Sequence, residues 1–290
     1  MNGARADAGQ PLGYRLSTGV LSRTPHAVLG WAALAGGLIH YALAREKRES
    51  RTANLALAPN EVRRAPWRPF QTQALNVLEL LAMAARGDRG FLQSMTLHGE
   101  ENIRTALERG RGVILATLHS GNWELAGLML ADRGYPITTV AGEQLRPGWS
   151  DEVRRVKENF GIRVLSPGTA LRGLYDDLRS NRAAVLHIDG DIFTGGHEVT
   201  FFAQPVKAPR GPAHLSRVLS SPVAFAYCRR TRGRRLEVWI EPPLDPPRDA
   251  AEEVAVTRAL MRRVEKAVAD DPGQWCIFRR LATTATPVKS

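Results

Sequence analysis

The sequence predicts an α/β fold: a mixed, mostly parallel sheet flanked by helices, with an N-terminal hydrophobic helix. Three observations predict it. Short apolar runs alternate with helical patterns from residue 113 to residue 227, an uncharged run covers Ala27 to Ala44, and a final apolar run follows its predecessor closely enough to form a hairpin. With 290 residues, 43% of them hydrophobic, the chain can bury one substantial core. Residues 1–57 form the N-terminal segment, with the hydrophobic helix at about 27–44, and residues 58–290 form the α/β domain.

The uncharged run, taken as a helix, is roughly 27 Å long, just short of a bilayer's hydrocarbon core. Trp31 and Tyr41 near its ends suit membrane interfaces, and Arg45-Glu-Lys-Arg48 suits anionic headgroups. The expectation is a membrane anchor that spans the bilayer or lies in its interface. A buried helix is one alternative, and a signal sequence ending at Ala42-Leu43-Ala44 is another.

After a basic, proline-containing connector at 58–69, Gln71 to Arg86 carries Leu75, Leu78, Leu81 and Ala82 at helical spacing. A helix follows over Glu100 to Arg109. Strands are expected at Val113 to Leu118, Ile137 to Val140, Ile162 to Leu165, Ala183 to Ile188 and Val223 to Tyr227. Helices are expected between them, near Trp123 to Ala131, Asp151 to Asn159, Ala170 to Leu178 and Pro212 to Leu219. Arg235 to Ile240 should pair back on the run ending at Arg230 across Thr231-Arg-Gly233. Pro242 to Pro247 is a rigid connector, and Ala250 to Ala269 a closing amphipathic helix.

A formal charge of +11 implies an anionic partner: nucleic acid, an anionic membrane face or a phosphate-bearing substrate. Aromatic residues do not interleave with the basic ones, and no zinc-finger or RNA-recognition signature occurs, so nucleic acid is not expected. Cys228 and Cys276 stand far apart with no Cys-x-x-Cys spacing, so no zinc site or disulfide framework is indicated. The chain has no Gly-x-Ser-x-Gly, Walker or dinucleotide-binding fingerprint, which removes support for a serine hydrolase or a nucleotide-dependent enzyme.

The segment Gly112-Val-Ile-Leu-Ala-Thr-Leu-His119-Ser-Gly-Asn122-Trp123-Glu124 delivers an imidazole to a strand's carboxyl edge, where open α/β sheets place their chemistry. Residues five apart on one helix are rotated by roughly 140°, so His119 and Glu124 converge only if the histidine precedes the helix and the acid opens it. An acid on one imidazole nitrogen leaves the other free to take a proton from a hydroxyl, as a general base for acyl transfer. The plainer alternative is a histidine at a strand end and a glutamate on a solvated helix face.

Asp189-Gly-Asp191 reaches the same sheet edge after the strand ending at Ile188, and Glu198 is a second candidate to orient His119. His187, Asp189, Asp191 and His197 together would also suit a divalent metal in a phosphoester hydrolase, although no metal is expected in the leading reading. Arg146, Arg154 and Arg155 flank the helix after the second strand, where guanidinium groups meet phosphate or a developing oxyanion. The five arginines between Arg229 and Arg235 fit a solvated hairpin tip.

Gly110-Arg-Gly-Val-Ile-Leu-Ala-Thr-Leu-His119-Ser-Gly-Asn-Trp-Glu124-Leu-Ala-Gly127 resembles the signature of the bacterial lipid A biosynthesis acyltransferases. These are lauroyl and myristoyl transferases, with relatives that acylate phosphatidylinositol mannosides. Asp189-Gly-Asp191, Gly195-Gly196, Glu198-Val-Thr-Phe-Phe202, Pro209-Arg-Gly211-Pro212-Ala213 and Gln274-Trp275 follow in that family's order, so the resemblance runs from Gln71 to Trp275. Two segments depart from it: His187-Ile-Asp189-Gly-Asp191 stands where Pro-Asp-x-Asp is usual, and Arg210 replaces a small hydroxyl residue.

The resemblance implies a glycerolipid acyltransferase-like fold and a catalytic dyad of His119 and Glu124, with Glu198 as the alternative orienting acid. It implies substrate-binding roles for Asn122, Trp123, Arg146, Arg155, Asp189, Asp191 and Gly211. The implied activity is fatty acyl transfer from acyl carrier protein or acyl-CoA to a hydroxyl of a lipid or glycolipid, by direct attack and without a further cofactor. Arg155 or backbone amides at the start of the Trp123 helix would meet the oxyanion. The implied place is the cytoplasmic membrane, with the catalytic domain on its cytoplasmic face. A metal-dependent phosphoester hydrolase and a non-catalytic lipid-binding protein are the other readings.

Overall fold

In a computed structural model, the structure describes residues 12–56, 65–87, 89–141, 149–190, 196–231 and 235–281. Three helices come first: α1 (Leu12–Leu21), α2 (His26–Leu43) and α3 (Arg45–Ala56). They are followed by α4 (Arg68–Arg86), α5 (Gly90–Gln93), β1 (Thr96–His98) and α6 (Glu100–Glu108). The alternating region runs β2 (Val113–Thr117), α7 (Trp123–Asp132), β3 (Ile137–Val140), α8 (Trp149–Asn159), β4 (Arg163–Leu165), α9 (Ala170–Arg179) and β5 (Ala183–His187). A hairpin of β6 (Gly196–Phe201) and β7 (Gln204–Pro209) leads to α10 (Gly211–Leu219), then β8 (Val223–Arg230), β9 (Leu236–Ile240) and α11 (Ala250–Asp270).

Seven strands form one sheet in the order β1-β9-β8-β2-β5-β3-β4. The five from β8 to β4 are parallel, and β9 runs back against β8 as the predicted hairpin, with β1 parallel to β9. The predicted mixed, mostly parallel sheet with helices on both faces is the fold observed. The pattern missed β1, whose three residues carry too little periodicity, and the β6–β7 hairpin, which pairs only with itself.

Every residue of β2 is buried, as expected of a parallel strand covered on both faces. Ile114, Ala116 and Leu118 enter one core, with α9, α10 and α11, while Val113 and Leu115 enter the other, with α4, α6 and α7. Ala184 and Ile188 of the neighbouring strand follow the first core, and Ala183 the second. This period of two fixes which side chains emerge together at the sheet's carboxyl edge.

α2 lies along α4 and buries Leu29, Ala33 and Gly37, one stripe at four-residue spacing. A Cβ at Gly37 would stand 2.5 Å from the Gln71 Cα, so only glycine permits this approach. The opposite face of α2 is also apolar but bare: Val28, Trp31, Leu38, Ile39 and Leu43 are exposed. Among the described residues no single helix is long and apolar enough to cross a membrane, and α2 and α3 meet at a bend of 92°.

The two adjacent glycines of α2 make the packing testable. Gly37→Ala should destabilise by about 1–3 kcal/mol through overpacking against the α4 backbone. Gly36→Ala, with open space at its Cβ position, should be neutral or stabilising by up to about 1 kcal/mol from helix propensity. Denaturant unfolding of both variants checks this; equal effects would refute the close-approach account.

Candidate active site

β2 runs through Leu118 into His119, and Ser120-Gly121-Asn122 turns the chain into α7. Gly121 adopts φ +58°, and a Cβ there would meet the Cys228 carbonyl at 2.5 Å. Asn122 caps α7, its Oδ1 accepting from Leu125 N at 3.2 Å. Its amide donates to Glu79 Oε2 at 3.0 Å and to the Asn76 carbonyl at 3.3 Å. Asn76 in turn donates to the Gly121 carbonyl, and Arg230 Nη2 meets Glu79 Oε2 at 2.6 Å. The turn is thus held from below by α4 and from the side by β8.

The strand ladder continues one step beyond β5, where Ile188 N donates to Thr117 O at 2.8 Å. Alternation then puts His187 and Asp189 on the same face as His119. Asp189 is 1% exposed and receives three hydrogen bonds. His119 Nδ1 and its carboxylate Oδ1 are 2.8 Å apart, His119 N donates to Oδ2 at 2.8 Å, and Trp275 Nε1 donates to Oδ2 at 2.9 Å. Burial pulls the Asp189 carboxyl up, but the His119 charge and hydrogen bond, the nearby His187 and the His119 amide outweigh it and leave it lowered. The carboxylate is therefore ionised at neutral pH, with Nδ1–H as the donor and Nε2 as the nitrogen left for a substrate.

This corrects the expected pairing. Glu124, in the first turn of α7, points to Lys157 Nζ at 2.7 Å, and Glu198 is exposed on β6. The acid on His119 is Asp189, expected only as a substrate-binding residue. Local spacing favoured Glu124 because it opens the helix that follows His119, whereas Asp189 arrives from the end of the adjacent strand 70 residues later. The signal available was the period of two along Ala183 to Asp189, set against the same period along Val113 to His119.

Trp123 stands edge-on to His119 with ring centroids 5.0 Å apart, and His187 stacks on His119 at 4.0 Å. Beside Trp123 a cleft of about 320 Å³ opens between α4, α7 and α8. Val77, Leu80, Val153 and Val164 form apolar walls, while Glu124 and Lys157 supply charge. Helical phase brings Arg154 and Lys157 to this cleft and turns Arg155 away onto Glu152, so the oxyanion role expected of Arg155 has no support in its position. Gly211 opens α10 with open space at its Cβ position. Arg146 and Asp191 lie outside the described residues.

The alternative metal set does not assemble. Asp189 is committed to His119, while His197 sits on the hairpin with Nδ1 2.9 Å from Thr257 Oγ1 and Nε2 facing Glu253 of α11. Among the described residues no group of three or more histidine, cysteine or acidic side chains could hold a metal. Both cysteines are free and buried, and burial pushes the Cys228 thiol up to about 12 and the Cys276 thiol up as well, so neither is a ready nucleophile.

The model of the family described as bacterial lipid A biosynthesis acyltransferase matches residues 20–284. The chain belongs to this family. It is 33% identical over 182 residues to a phosphatidylinositol mannoside acyltransferase of Mycobacterium tuberculosis, a match covering 61% of the chain and 56% of that relative. A phosphatidylinositol mannoside acyltransferase of Mycolicibacterium smegmatis is 28% identical over 95% of the chain and 90% of its own length. Lipid A biosynthesis acyltransferase 2 of Shigella flexneri is 22% identical over 83% of the chain and 79% of its own length.

Two predictions follow from the geometry of this acyltransferase family member. Asp189→Asn should lower turnover about 1,000-fold or more by removing the charge that fixes the His119 tautomer, whereas Glu198→Gln should stay within roughly tenfold of wild type. A steady-state assay of the two variants decides which acid serves His119. Burial, together with His119, also holds the His187 pKa well below its ordinary value near 6.5, and Asp189 is lowered too. A group depressed in the folded state stabilises fully above its unfolded pKa and less below it. Tm should therefore fall as pH drops below about 6.5, and fall further below about 3.9, where the unfolded chain takes up a proton that the folded Asp189 carboxylate resists. A Tm that rises between pH 6.5 and 5 would contradict this.

Proposed function

We propose that the protein is a membrane-associated acyltransferase that moves a fatty acyl chain from a thioester to a hydroxyl of a lipid or glycolipid. The observation that carries the reading is the His119–Asp189 pair: an imidazole with one nitrogen tied to a buried carboxylate, beside a partly apolar cleft in a lipid acyltransferase family. His119 Nε2 removes the acceptor's proton, the oxygen attacks the thioester carbonyl directly, and Asp189 stabilises the imidazolium that forms. No acyl-enzyme is required.

Relatives named for phosphatidylinositol mannoside favour an anionic, inositol-bearing glycolipid as acceptor, and a chain of charge +11 suits one. The donor is an acyl carrier protein or CoA thioester, met on the cytoplasmic face of the cytoplasmic membrane. The cleft's apolar walls suit an acyl chain. The bare apolar face of α2, followed by exposed Arg45 and Lys47, suits a helix lying in the bilayer interface. Most of the large exposed apolar side chains among the described residues are on α1 and α2.

Purified protein given acyl-CoA or acyl carrier protein thioester and a phosphatidylinositol mannoside acceptor should form the acylated lipid, and His119→Ala should abolish turnover while still folding, with a lowered Tm because Asp189 loses its ring donor. Turnover retained in His119→Ala would sink the mechanism. For the membrane face, Trp31→Glu combined with Leu38→Glu should reduce co-sedimentation with anionic vesicles about tenfold or more. Unchanged binding would remove α2 as the contact.

A further inference from the structure

His187 closes β5 with its ring stacked on His119, the centroids 4.0 Å and the planes 24° apart. Trp123 stands edge-on to it as well, at 6.4 Å. Its Nε2 is shielded from solvent and finds no hydrogen-bond partner among the described residues. Burial and then the His119 charge keep the ring neutral at physiological pH, with Asp189 and Lys157 as its other charged neighbours. A phenylalanine here would stack on His119 equally well and leave no polar nitrogen unpaired. Orphaned buried polar atoms call for a reason, and a partner that arrives with the substrate is one.

We propose that His187 is a second catalytic residue, whose Nε2–H donates a hydrogen bond to the thioester carbonyl oxygen as negative charge develops there. This rests on the acyl-transfer reading. The acceptor oxygen forms the new C–O bond, and its proton passes to His119 Nε2. The tetrahedral intermediate then collapses, the C–S bond breaks, and the sulfur leaves as a thiol with that proton. His187 keeps its own proton throughout. A substrate oxygen bonded to the acceptor-attacked carbon near His119 Nε2 is within reach of a donor on a ring stacked 4.0 Å away. Trp123, edge-on to the ring at 6.4 Å, also lines the cleft, so the His187 ring lies one side chain away from it. A neutral donor held in place before reaction and shielded from water needs no reorganisation as the charge forms.

The test compares His187→Phe, which keeps the stack and removes the donor, with His187→Gln, which keeps an N–H donor. In the full-length protein at saturating donor and acceptor, the phenylalanine variant should lose about 100-fold in kcat with KM little changed. The glutamine variant should recover roughly tenfold of that loss, and both should unfold near the wild-type Tm. A phenylalanine variant with wild-type kcat overturns the proposal, and so do two variants impaired alike, which is the signature of packing alone. Should the phenylalanine variant fail to fold, His187→Leu takes its place and is read the same way. A wild-type protein that transfers no acyl group overturns the acyl-transfer reading itself and is recognised before any variant is made.

Discussion

The carboxylate of Asp189 is the constraint on which the site depends. Burying an unpaired carboxylate costs several kcal/mol, and Asp189 is kept ionised only because three donors converge on it. The donors come from two distant parts of the chain: the ring and the backbone amide of His119 at the end of β2, and the Trp275 indole from the segment after α11. The same carboxylate therefore fixes where β2 stops, how the imidazole is turned, and how the C-terminal segment crosses the turn. Cys276 N closes that crossing by donating to the His119 carbonyl at 2.7 Å. A change at any of the three donors leaves a buried charge undersatisfied, so the geometry is cooperative rather than a sum of contacts.

A second buried carboxylate holds the other side of the turn. Glu79 of α4 joins Asn122 to Arg230, and Asn76 one turn earlier secures the Gly121 carbonyl. His119 is thus suspended between a charged anchor just beyond β5 and a charged anchor on α4. Neither anchor touches Nε2, which leaves that nitrogen free, while Asp189 fixes the ring and Glu79 fixes the turn that carries it. Functional side chains on regular elements braced in this way need little reordering when substrate arrives.

The sheet was readable because its signal is local: apolar runs of strand length separated by helical periods, with a glycine turn for the hairpin. The turn after β2 was readable for the same reason, since an apolar run ends at Leu118 and a helical period opens at Trp123. The orienting acid was not, because nothing within a few residues of His119 marks Asp189; only the registered pairing of Thr117 with His187 brings them together. Glu79, Asn76 and Lys157 were hidden for the same reason, each meeting the motif from a separate element. α3 was missed because its composition is strongly polar, yet it buries Arg51, Asn54 and Leu55. No periodicity rule anticipates a fully buried arginine.

That arginine ties the N-terminal helices to the chemistry. Arg51 is 1% exposed, with its guanidinium 4.9 Å from the centre of the Trp275 ring and Nη2 donating to the Pro272 carbonyl at 2.5 Å. Burial lowers its pKa to about 10, which still leaves it charged at neutral pH. Stacking on Trp275 offsets part of the cost of burying that charge, and the same indole donates to Asp189. The path from α3 to the imidazole therefore runs through two side chains, Trp275 and Asp189. α2, whose outer apolar face is the proposed contact with lipid, joins α3 at the 92° bend and is clamped to α4 by the Gly37 approach. α4 also carries Asn76 and Glu79. α2 and the His119 imidazole thus share both of their supports, so α2 belongs to the body that shapes the site rather than hanging from it as a detachable tether.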